Sequence, residues 1–310
     1  MNDLEKALYK YNNTFRPTSE ILEEHGLSLQ KFMRFLQIQG ELENSPRIKK
    51  AVEMYKSGGV SLQQVAKIVG CTRKTLTKYV DQAGIEIIQP LRIYPYDDNF
   101  FETIDNEKKA YWLGFIYADG SINEAPNGMW KKLEIGLKES DRGHLIKFLK
   151  DIGGSEKQIQ NRITTLKGKR YKSCRVSISC TKMCNDLIGH GATIRKSLTL
   201  TFPTHLDEKL IKHFLRGYFD GDGCINYRPQ YGLYRISLVG TEAFLNSFLD
   251  YFCNMGVTKV RLQRKQNQKA YQIEKQGKDM RLILETMYKE ATIYLERKHS
   301  LYLATLNKNV

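Results

Sequence analysis

The sequence predicts an α+β protein. Two α-β-β-α-β-β-α repeats, related by a pseudo-twofold axis, each build an antiparallel, saddle-like sheet after an all-α N-terminal region. Three observations support this. One nine-residue pattern occurs twice, 222 − 119 = 103 residues apart. A similar order of helical and alternating segments follows each copy. Residues 1–85 show helical patterns only.

The duplicated pattern is an apolar run that ends in an acid followed by glycine. Residues 112–120 are Trp-Leu-Gly-Phe-Ile-Tyr-Ala-Asp-Gly, and residues 215–223 are Leu-Arg-Gly-Tyr-Phe-Asp-Gly-Asp-Gly. Each copy holds two small residues four apart, which share one helix face and let two helix backbones approach closely. These residues are Gly114 and Ala118, then Gly217 and Gly221. If the two helices pack together, Asp119 and Asp222 lie side by side.

The two acids are predicted to bind a metal. Gly120 and Gly223 are expected to end the helices in the left-handed conformation, so each acid meets the negative end of a helix dipole. Two neighbouring carboxylates also repel, which favours protonation of one of them. Mg²⁺ binds through one or two carboxylates plus phosphate oxygens and waters. Asp119 and Asp222 are therefore predicted Mg²⁺ ligands, and Mn²⁺ can substitute. A single helix ending in Asp-Gly is ordinary structure, but the duplication favours function.

Both stretches resemble the signature of LAGLIDADG homing endonucleases, of the single-chain type with two repeats. The resemblance covers roughly residues 100–305. It implies that the penultimate acid of each copy, Asp119 and Asp222, binds metal and that the substrate is double-stranded DNA. The earlier acid of the signature is Tyr117 in the first copy and Asp220 in the second, a position that the family uses for capping or packing.

Composition narrows the function classes. The chain has 310 residues with 49 basic and 34 acidic side chains, and a net charge of +15 favours nucleic acid as partner, before an anionic membrane. The six cysteines form no C-x-x-C pair and the six histidines no H-x-x-x-H pair, which argues against a zinc ribbon or a histidine-metal nuclease. We expect reduced, mostly buried cysteines.

No apolar run approaches membrane-spanning length, and no signal-peptide pattern begins the sequence. We therefore expect no membrane partner. The expected location is the cytoplasm of a bacterial or phage-infected cell, or another compartment that contains DNA.

Residues 44–86 are predicted to form a helix-turn-helix unit. Helices are expected over 47–56 and 62–69, Gly70 makes the tight turn, and Thr72 caps a third, recognition helix. The candidate DNA-binding residues on that helix are Arg73, Lys74 and Lys78. A small helical bundle for protein contact is the alternative.

The same pattern recurs more faintly 44 residues earlier, over 1–43, where Gly26 matches Gly70 and Phe32 matches Leu76. DNA binding and protein contact both stay open for this first unit. A linker is predicted over 87–100, where prolines break regular structure. The first repeat then covers 101–205 and the second 206–310.

Each repeat shows the same elements in the same order. The first has a strand at 131–137, a helix at 141–152, a hairpin at 158–179 and a helix at 183–190. The second has a strand at 234–239, a helix at 242–255, a hairpin at 259–275 and a helix at 279–289.

The two hairpins are candidate DNA-binding ribbons. A two-stranded ribbon fits the major groove, and lysine and arginine side chains bind phosphates. A charged edge that discourages aggregation is the alternative. The candidate contact residues are Lys169, Arg170, Lys172 and Arg175 in the first hairpin, and Arg261, Gln263, Arg264 and Gln272 in the second. Base reading is expected from Arg175, Arg261, Gln263 and Gln272.

A positive charge is expected near each scissile phosphate. Lys196 follows its acid by 196 − 119 = 77 residues, and Lys298 follows its own by 298 − 222 = 76. The resemblance implies a lysine late in each repeat, near the active site. The candidate catalytic residues are therefore Asp119, Asp222, Lys196 and Lys298. Two surface lysines at helix starts are the alternative.

The leading hypothesis is a monomeric, Mg²⁺-dependent DNA endonuclease of the homing type. It would break both strands at a long asymmetric site, with the helix-turn-helix units extending the footprint. One alternative is a non-catalytic DNA-binding regulator on the same scaffold, although such regulators tend to lose the acids. Another is an intron RNA maturase, which can keep both acids. An intein is not expected, because residue 1 is Met and the sequence ends Asn-Lys-Asn-Val.

Overall fold

The computed structural model describes residues 1–40, 45–87, 94–126, 128–166, 168–194, 199–265 and 270–307. The chain divides into two compact units, Met1–Arg92 and Ile93–Val310. Within the described ranges, every helix is too short or too polar to cross a membrane.

The N-terminal unit is helical. Its helices are α1 (Asp3–Asn13), α2 (Thr18–Glu24), α3 (Leu29–Ile38), α4 (Pro46–Lys56), α5 (Leu62–Ile68) and α6 (Arg73–Gln82). Side-chain oxygens of Ser28, Ser61 and Thr72 accept the N-cap hydrogen bonds of α3, α5 and α6. Two small apolar clusters hold the unit together, one centred on Phe32 and one on Leu76.

The second unit contains two repeats in succession. The first comprises α7 (Glu107–Asp119), β1 (Gly120–Glu124), β2 (Lys131–Lys138), α8 (Arg142–Asp151), β3 (Gln160–Leu166), β4 (Lys169–Ile178) and α9 (Thr181–Gly189). The second comprises α10 (Glu208–Asp222), β5 (Gly223–Arg228), β6 (Leu233–Gly240), α11 (Glu242–Cys253), β7 (Gln263–Arg264), β8 (Tyr271–Gln276), α12 (Gly277–Tyr288) and α13 (Glu296–Leu306).

Each repeat builds one four-stranded antiparallel sheet. The strand orders are β1-β2-β4-β3 and β5-β6-β8-β7, so the two sheets share one topology. Helices α8 and α9 pack on β2, while α11 and α12 pack on β6 and β8. These findings confirm the predicted α+β fold.

Alternation along the strands separates a helix-covered face from an opposite face. Leu133, Ile135 and Leu137 of β2 are buried under the helices, whereas Lys132 and Glu134 lie on the opposite face. That opposite face, in either sheet, is called the open face below.

One apolar core serves both repeats. Its buried side chains come from α7 and α10, from both sheets and from the helices that cover them. Among the described helices, α7 and α10 share the most extensive contact. The two duplicated stretches therefore lie at the centre of the second unit.

Several predicted boundaries differ from the structure. The second hairpin was expected to begin at 259, yet β7 contains only Gln263–Arg264 and pairs with β8 at those two residues. Strands β1 and β5 continue directly from the acid-bearing helices and had no predicted bounds. Helix α13 also had none.

Candidate active site

The backbones of α7 and α10 are in direct contact at two glycines. A Cβ atom added to Gly114 would lie 1.9 Å from the carbonyl oxygen of Phe214, and one added to Gly217 would lie 1.9 Å from that of Tyr111. The contacts are reciprocal, since 217 − 114 and 214 − 111 both equal 103. No side chain fits at either position. Because the two contacts are reciprocal, the helices are related by the pseudo-twofold axis that the repeat predicts.

One turn further along, the helix pair brings the two acids together. A Cβ atom on Gly221 would lie 2.2 Å from the Cβ of Ala118 and 3.4 Å from Oδ2 of Asp119. Asp119 thus lies against the residue that precedes Asp222. Both acids are the last residues of their helices, and both are exposed. This end of the helix pair, with Asp119 and Asp222, is called the acid pair.

The glycines after the acids have a different role from the predicted one. Gly120 (φ −77°) and Gly223 (φ −85°) are extended rather than left-handed, so the predicted left-handed stops are wrong. A Cβ on Gly120 would lie 2.7 Å from the carbonyl oxygen of Ile116, and one on Gly223 would lie 2.5 Å from that of Phe219. Glycine is required because the strand begins directly after the helix, and a Cβ atom at this position would collide with the last turn of that helix.

Asp220 connects the two repeats from inside the core. It is fully buried, and its carboxylate accepts hydrogen bonds from the hydroxyls of Tyr111 (2.7 Å) and Tyr288 (2.5 Å) and from the backbone N–H of Leu295 (2.7 Å). Burial raises the pKa of Asp220, against the lowering effect of Lys298 and the hydroxyl donors. The position thus packs as expected, but it also fixes the second acid helix to the first.

The equivalent position in the first repeat is Tyr117, since 220 − 117 = 103. Its hydroxyl donates to the carbonyl oxygen of His190 at 2.5 Å, within its own repeat. Burial raises the pKa of Tyr117. The second copy therefore joins the repeats at this position by hydrogen bonds, whereas the Tyr117 ring meets the second repeat by packing edge-on against Phe214, with 4.9 Å between ring centroids.

Lys298 caps the second acid helix. Its ammonium donates to the carbonyl oxygens of Phe219 and Asp220, both at 2.6 Å, and of Gly221 at 3.3 Å. The side chain is 1% exposed, so the surface-lysine alternative is wrong for it. Burial lowers its pKa to about 8, while Asp220 and Asp119 oppose that shift. Lys298 thus stabilises the negative helix end and lies within the electrostatic field of Asp119.

The chain around Lys298 is held by the other repeat. Arg297 pairs with the buried Asp141 of the first repeat at 2.9 Å. Lys147, also from the first repeat, pairs with Glu296 at 2.5 Å and donates to the carbonyl oxygen of Tyr294 at 3.2 Å. The first repeat therefore positions the lysine of the second. Lys196, the predicted counterpart of Lys298, lies outside the described residues.

A buried histidine, His144, contacts the same hydrogen-bond network through the Tyr111 hydroxyl. His144 is 4% exposed, and its Nε2 lies 2.9 Å from the Tyr111 hydroxyl, while Nδ1 has no hydrogen-bond partner among the described residues. Burial, followed by the charges of Lys147, Arg297 and Lys298, lowers the pKa of His144 to about 3. The imidazole is therefore neutral near pH 7.

The Asp222 side of the acid pair includes Tyr218. The Tyr218 hydroxyl donates to the carbonyl oxygen of Val239 at 2.9 Å. Burial raises its pKa first, and the neighbouring Asp222 carboxylate raises it further. A hydroxyl that stays protonated thus lies beside the second acid.

Each open face carries a glutamate surrounded by donors. In the first sheet, Glu134 pairs with Lys132 at 3.0 Å and with Arg175 at 3.1 Å. Burial would raise the pKa of Glu134, but these cations lower it overall. In the second sheet, Glu274 accepts a hydrogen bond from Gln272 at 2.8 Å and also pairs with Arg235. The sequence analysis missed both glutamates. They could have been found, because they alternate with apolar residues along the basic strands and so lie on the outward face of each sheet.

The predicted ribbon residues divide between the two faces of the hairpins. Arg175 and Gln272 lie on the open faces. Arg170 and Lys172 are exposed but have the phase of the buried Cys174, so they point to the opposite side. Arg261, Gln263 and Arg264 are exposed as well. For Lys169 the structure describes only its place at the start of β4.

The predicted contact residues of the N-terminal unit lie on α6. Arg73, Lys74 and Lys78 are all exposed there. Gly70 has φ 66° in the turn before the helix, a conformation that favours glycine. The helix-turn-helix geometry of residues 62–82 thus presents three cations on one short helix.

Comparisons with known proteins found one matching family model and several similar solved structures. A family model described as the helix-turn-helix domain of resolvase matches residues 42–82. No curated protein matches. Solved structures similar to this chain include the LAGLIDADG meganuclease I-AabMI bound to uncleaved DNA, with 17% identity, 64% of this chain and 88% of that chain covered, and a TM-score of 0.38.

Two further similar structures carry related descriptions. The LAGLIDADG homing endonuclease I-GzeII in complex with its DNA target has 12% identity, covers 64% of this chain and 88% of its own, and has a TM-score of 0.41. The homing endonuclease I-WcaI bound to its DNA recognition sequence has 13% identity, with 71% and 96% covered and a TM-score of 0.47.

Proposed function

We propose that this protein is a site-specific DNA endonuclease of the LAGLIDADG homing type, which breaks both strands of a long asymmetric site. The observation that carries the proposal is the acid pair. Two exposed carboxylates lie at the same end of a duplicated helix pair, and each helix continues into its own sheet. Structural packing alone does not require an acid at both helix ends, where the dipole opposes it.

The acid pair suits Mg²⁺. Among the described residues, no group of three or more His, Cys, Asp or Glu side chains could hold a metal ion, which disfavours a dedicated protein cage of the zinc type. Mg²⁺ needs only one or two carboxylates, with waters and substrate phosphates completing its shell. Bound there, it would activate water and stabilise charge on the phosphate oxygens.

The protein's own residues would do the positioning. Asp119 and Asp222 would hold metal on opposite sides of the pseudo-twofold axis, one for each DNA strand. Lys298 offsets the negative end of α10 and holds its last turn in place. Because all of its described hydrogen bonds go to carbonyl oxygens, we assign Lys298 to positioning rather than to direct phosphate contact.

The open faces suit an asymmetric DNA site. Arg175 pairs with Gly136 and Gln272 pairs with Val239, and 239 − 136 = 103, so Arg175 and Gln272 occupy equivalent positions. Arginine favours guanine and glutamine favours adenine in the major groove. Different residues at equivalent positions would select different half-sites. The cations of α6 would add contacts through the second helix-turn-helix unit.

Cleavage of a randomised DNA library tests the proposal. Purified protein with Mg²⁺ should produce discrete double-strand ends, which sequencing of the cut fragments would reveal. The double variant Asp119→Asn with Asp222→Asn should bind the same sequence without cutting it. Specific binding without cleavage by the parent protein would favour the regulator, and binding of intron RNA alone would favour the maturase.

A further inference from the structure

The first helical unit, residues 1–40, has the same architecture as the second. Helices α1, α2 and α3 have 11, 7 and 10 residues, and so do α4, α5 and α6. The last two helices of each unit start at a constant offset, since 62 − 18 and 73 − 29 both equal 44. The family model for the helix-turn-helix domain covers only the second unit.

The turns of the two units agree in detail. Gly26 has φ 61° and Gly70 has φ 66°. In both units the residue after this glycine donates its backbone N–H to the carbonyl oxygen five residues earlier, at 2.9 Å. Ser28 and Thr72 then cap the third helix through their side-chain oxygens. The first unit is therefore a helix-turn-helix by backbone geometry.

The exposed face of α3 suits duplex DNA. Gln30, Lys31, Arg34 and Gln37 are exposed on it, and α3 carries no acidic residue. The acids of α2 lie elsewhere, and Glu24 pairs with both Lys10 (2.6 Å) and Arg16 (2.8 Å). In this unit, the cations that form ion pairs therefore lie outside α3, and the cations that form none, among the described residues, lie on α3. Glutamine reads adenine, and arginine contacts guanine or phosphate.

The two helical units of the N-terminal part, residues 1–40 and 45–87, are joined by a buried arginine. Arg47, at the start of α4, is 1% exposed and donates to the carbonyl oxygens of Tyr11 (3.2 Å) and Arg16 (2.5 Å) in the first unit, and to that of Val69 in the turn of the second. Gly70 lies against the same loop, since a Cβ there would be 3.2 Å from Cα of Pro17. The two third helices therefore keep a fixed spacing.

We propose that residues 1–40 are a second DNA-reading unit, in which α3 enters the major groove of duplex DNA beside the segment contacted by α6. Gln30 and Arg34 are its base- and phosphate-contacting residues. The exposed Leu29 (59%) and Met33 (41%) on the same helix supply apolar surface of the kind that packs on thymine methyl groups. The inference rests on the proposed DNA-binding function and extends its footprint by one further segment.

Footprinting of the full chain tests this. The Asp119→Asn, Asp222→Asn protein would be bound to its selected DNA site, and Gln30→Ala and Arg34→Ala would then be introduced separately. Each should weaken binding about 5- to 100-fold and remove protection from one segment. Arg73→Ala should remove protection from an adjacent, different segment. Lys6→Ala, which removes an exposed cation from α1, is the matched control and should change affinity less than about twofold.

A spacing experiment tests the fixed junction. Five base pairs inserted between the two segments, about half a helical turn, should weaken binding as much as Arg34→Ala does. Unchanged footprints and affinities for both Gln30→Ala and Arg34→Ala would overturn the inference while leaving the endonuclease intact. A complete absence of sequence-specific protection by the parent protein would overturn the proposed function and this inference together.

Discussion

The crossing of α7 and α10 leaves room for one methyl group where Ala118 meets Gly221. In Gly221→Ala, the new Cβ would lie 2.2 Å from that of Ala118, so the helices must separate by more than about 1 Å to restore van der Waals contact. Overpacking of this kind costs about 3 kcal/mol at the upper end of its usual range. The better helix propensity of alanine returns about 1 kcal/mol. We expect a net loss of about 2 kcal/mol.

Transposing the pair should restore stability. Ala118→Gly alone should cost about 1 kcal/mol in helix propensity. In the double variant Ala118→Gly, Gly221→Ala, the clash disappears, because the remaining neighbours of the new Cβ begin at 3.4 Å. The two changes in helix propensity also cancel, since one alanine replaces the other. The free energy of unfolding should return to within about 0.5 kcal/mol of the parent value, which implies a coupling of about 3 kcal/mol.

Urea unfolding followed by tryptophan fluorescence measures this cycle, since Trp112 is buried in α7. Cleavage should fall about 100-fold in Gly221→Ala, because about 1 Å of misplacement at the acids suffices, and should recover in the double variant. Gly217→Ala is the control, because its Cβ meets a backbone carbonyl oxygen at 1.9 Å that no truncation removes. Additive stability changes for Ala118→Gly and Gly221→Ala would refute the predicted helix crossing.

Four further predictions concern single side chains. His144→Phe should weaken the fall in the free energy of unfolding at acid pH. The folded-state pKa of His144 is about 3, below the ordinary 6.5, so the stability of the parent falls by about 1.4 kcal/mol per pH unit as the pH drops below 6.5. Parallel curves of urea midpoint against pH for the parent and the variant would contradict this. Arg47→Met should destabilise residues 1–87 by about 3 kcal/mol, because three carbonyl oxygens lose their donor, and hydrogen exchange should show 94–307 unaffected; equal loosening of both would contradict it. Lys298→Met should reduce cleavage about tenfold or more and cost about 2 kcal/mol by uncapping α10, whereas full activity with parental thermal stability would contradict the capping role. Lys78→Ala should lower the slope of log affinity against log salt by about 1, measured by titration, and an unchanged slope would argue against phosphate contact.

The sequence predicts those elements whose signals are local. The duplicated small residues predicted the close helix pair, and the two acids do lie at one end of it. Alternation predicted β2 and β6 to within one residue at each end. By contrast, β1 follows Asp119 without a break, and its five residues carry too short an alternation to be separated from the helix end. The length of β7 depends on its pairing with β8, which no local pattern reveals.

The surroundings of the acids depend on contacts distant in sequence. Asp220 meets Tyr111 and Tyr288, which are 109 and 68 residues away, so its role is invisible to spacing. Lys298 was found by its offset from Asp222, but only the fold shows that it is buried on carbonyl oxygens. Gly120 was recognised as a helix end for the wrong reason, since its lack of a Cβ matters rather than a left-handed φ.

Strand-resolved cleavage by the two single acid variants tests the central claim most directly. A selected DNA site would be labelled on either strand and incubated with Asp119→Asn or Asp222→Asn protein and Mg²⁺. One acid for each strand predicts that each variant nicks one strand, that the two variants nick opposite strands, and that the double variant cuts neither. Double-strand cleavage that survives in the double variant, or two single variants that nick the same strand, would contradict the assignment of Asp119 and Asp222.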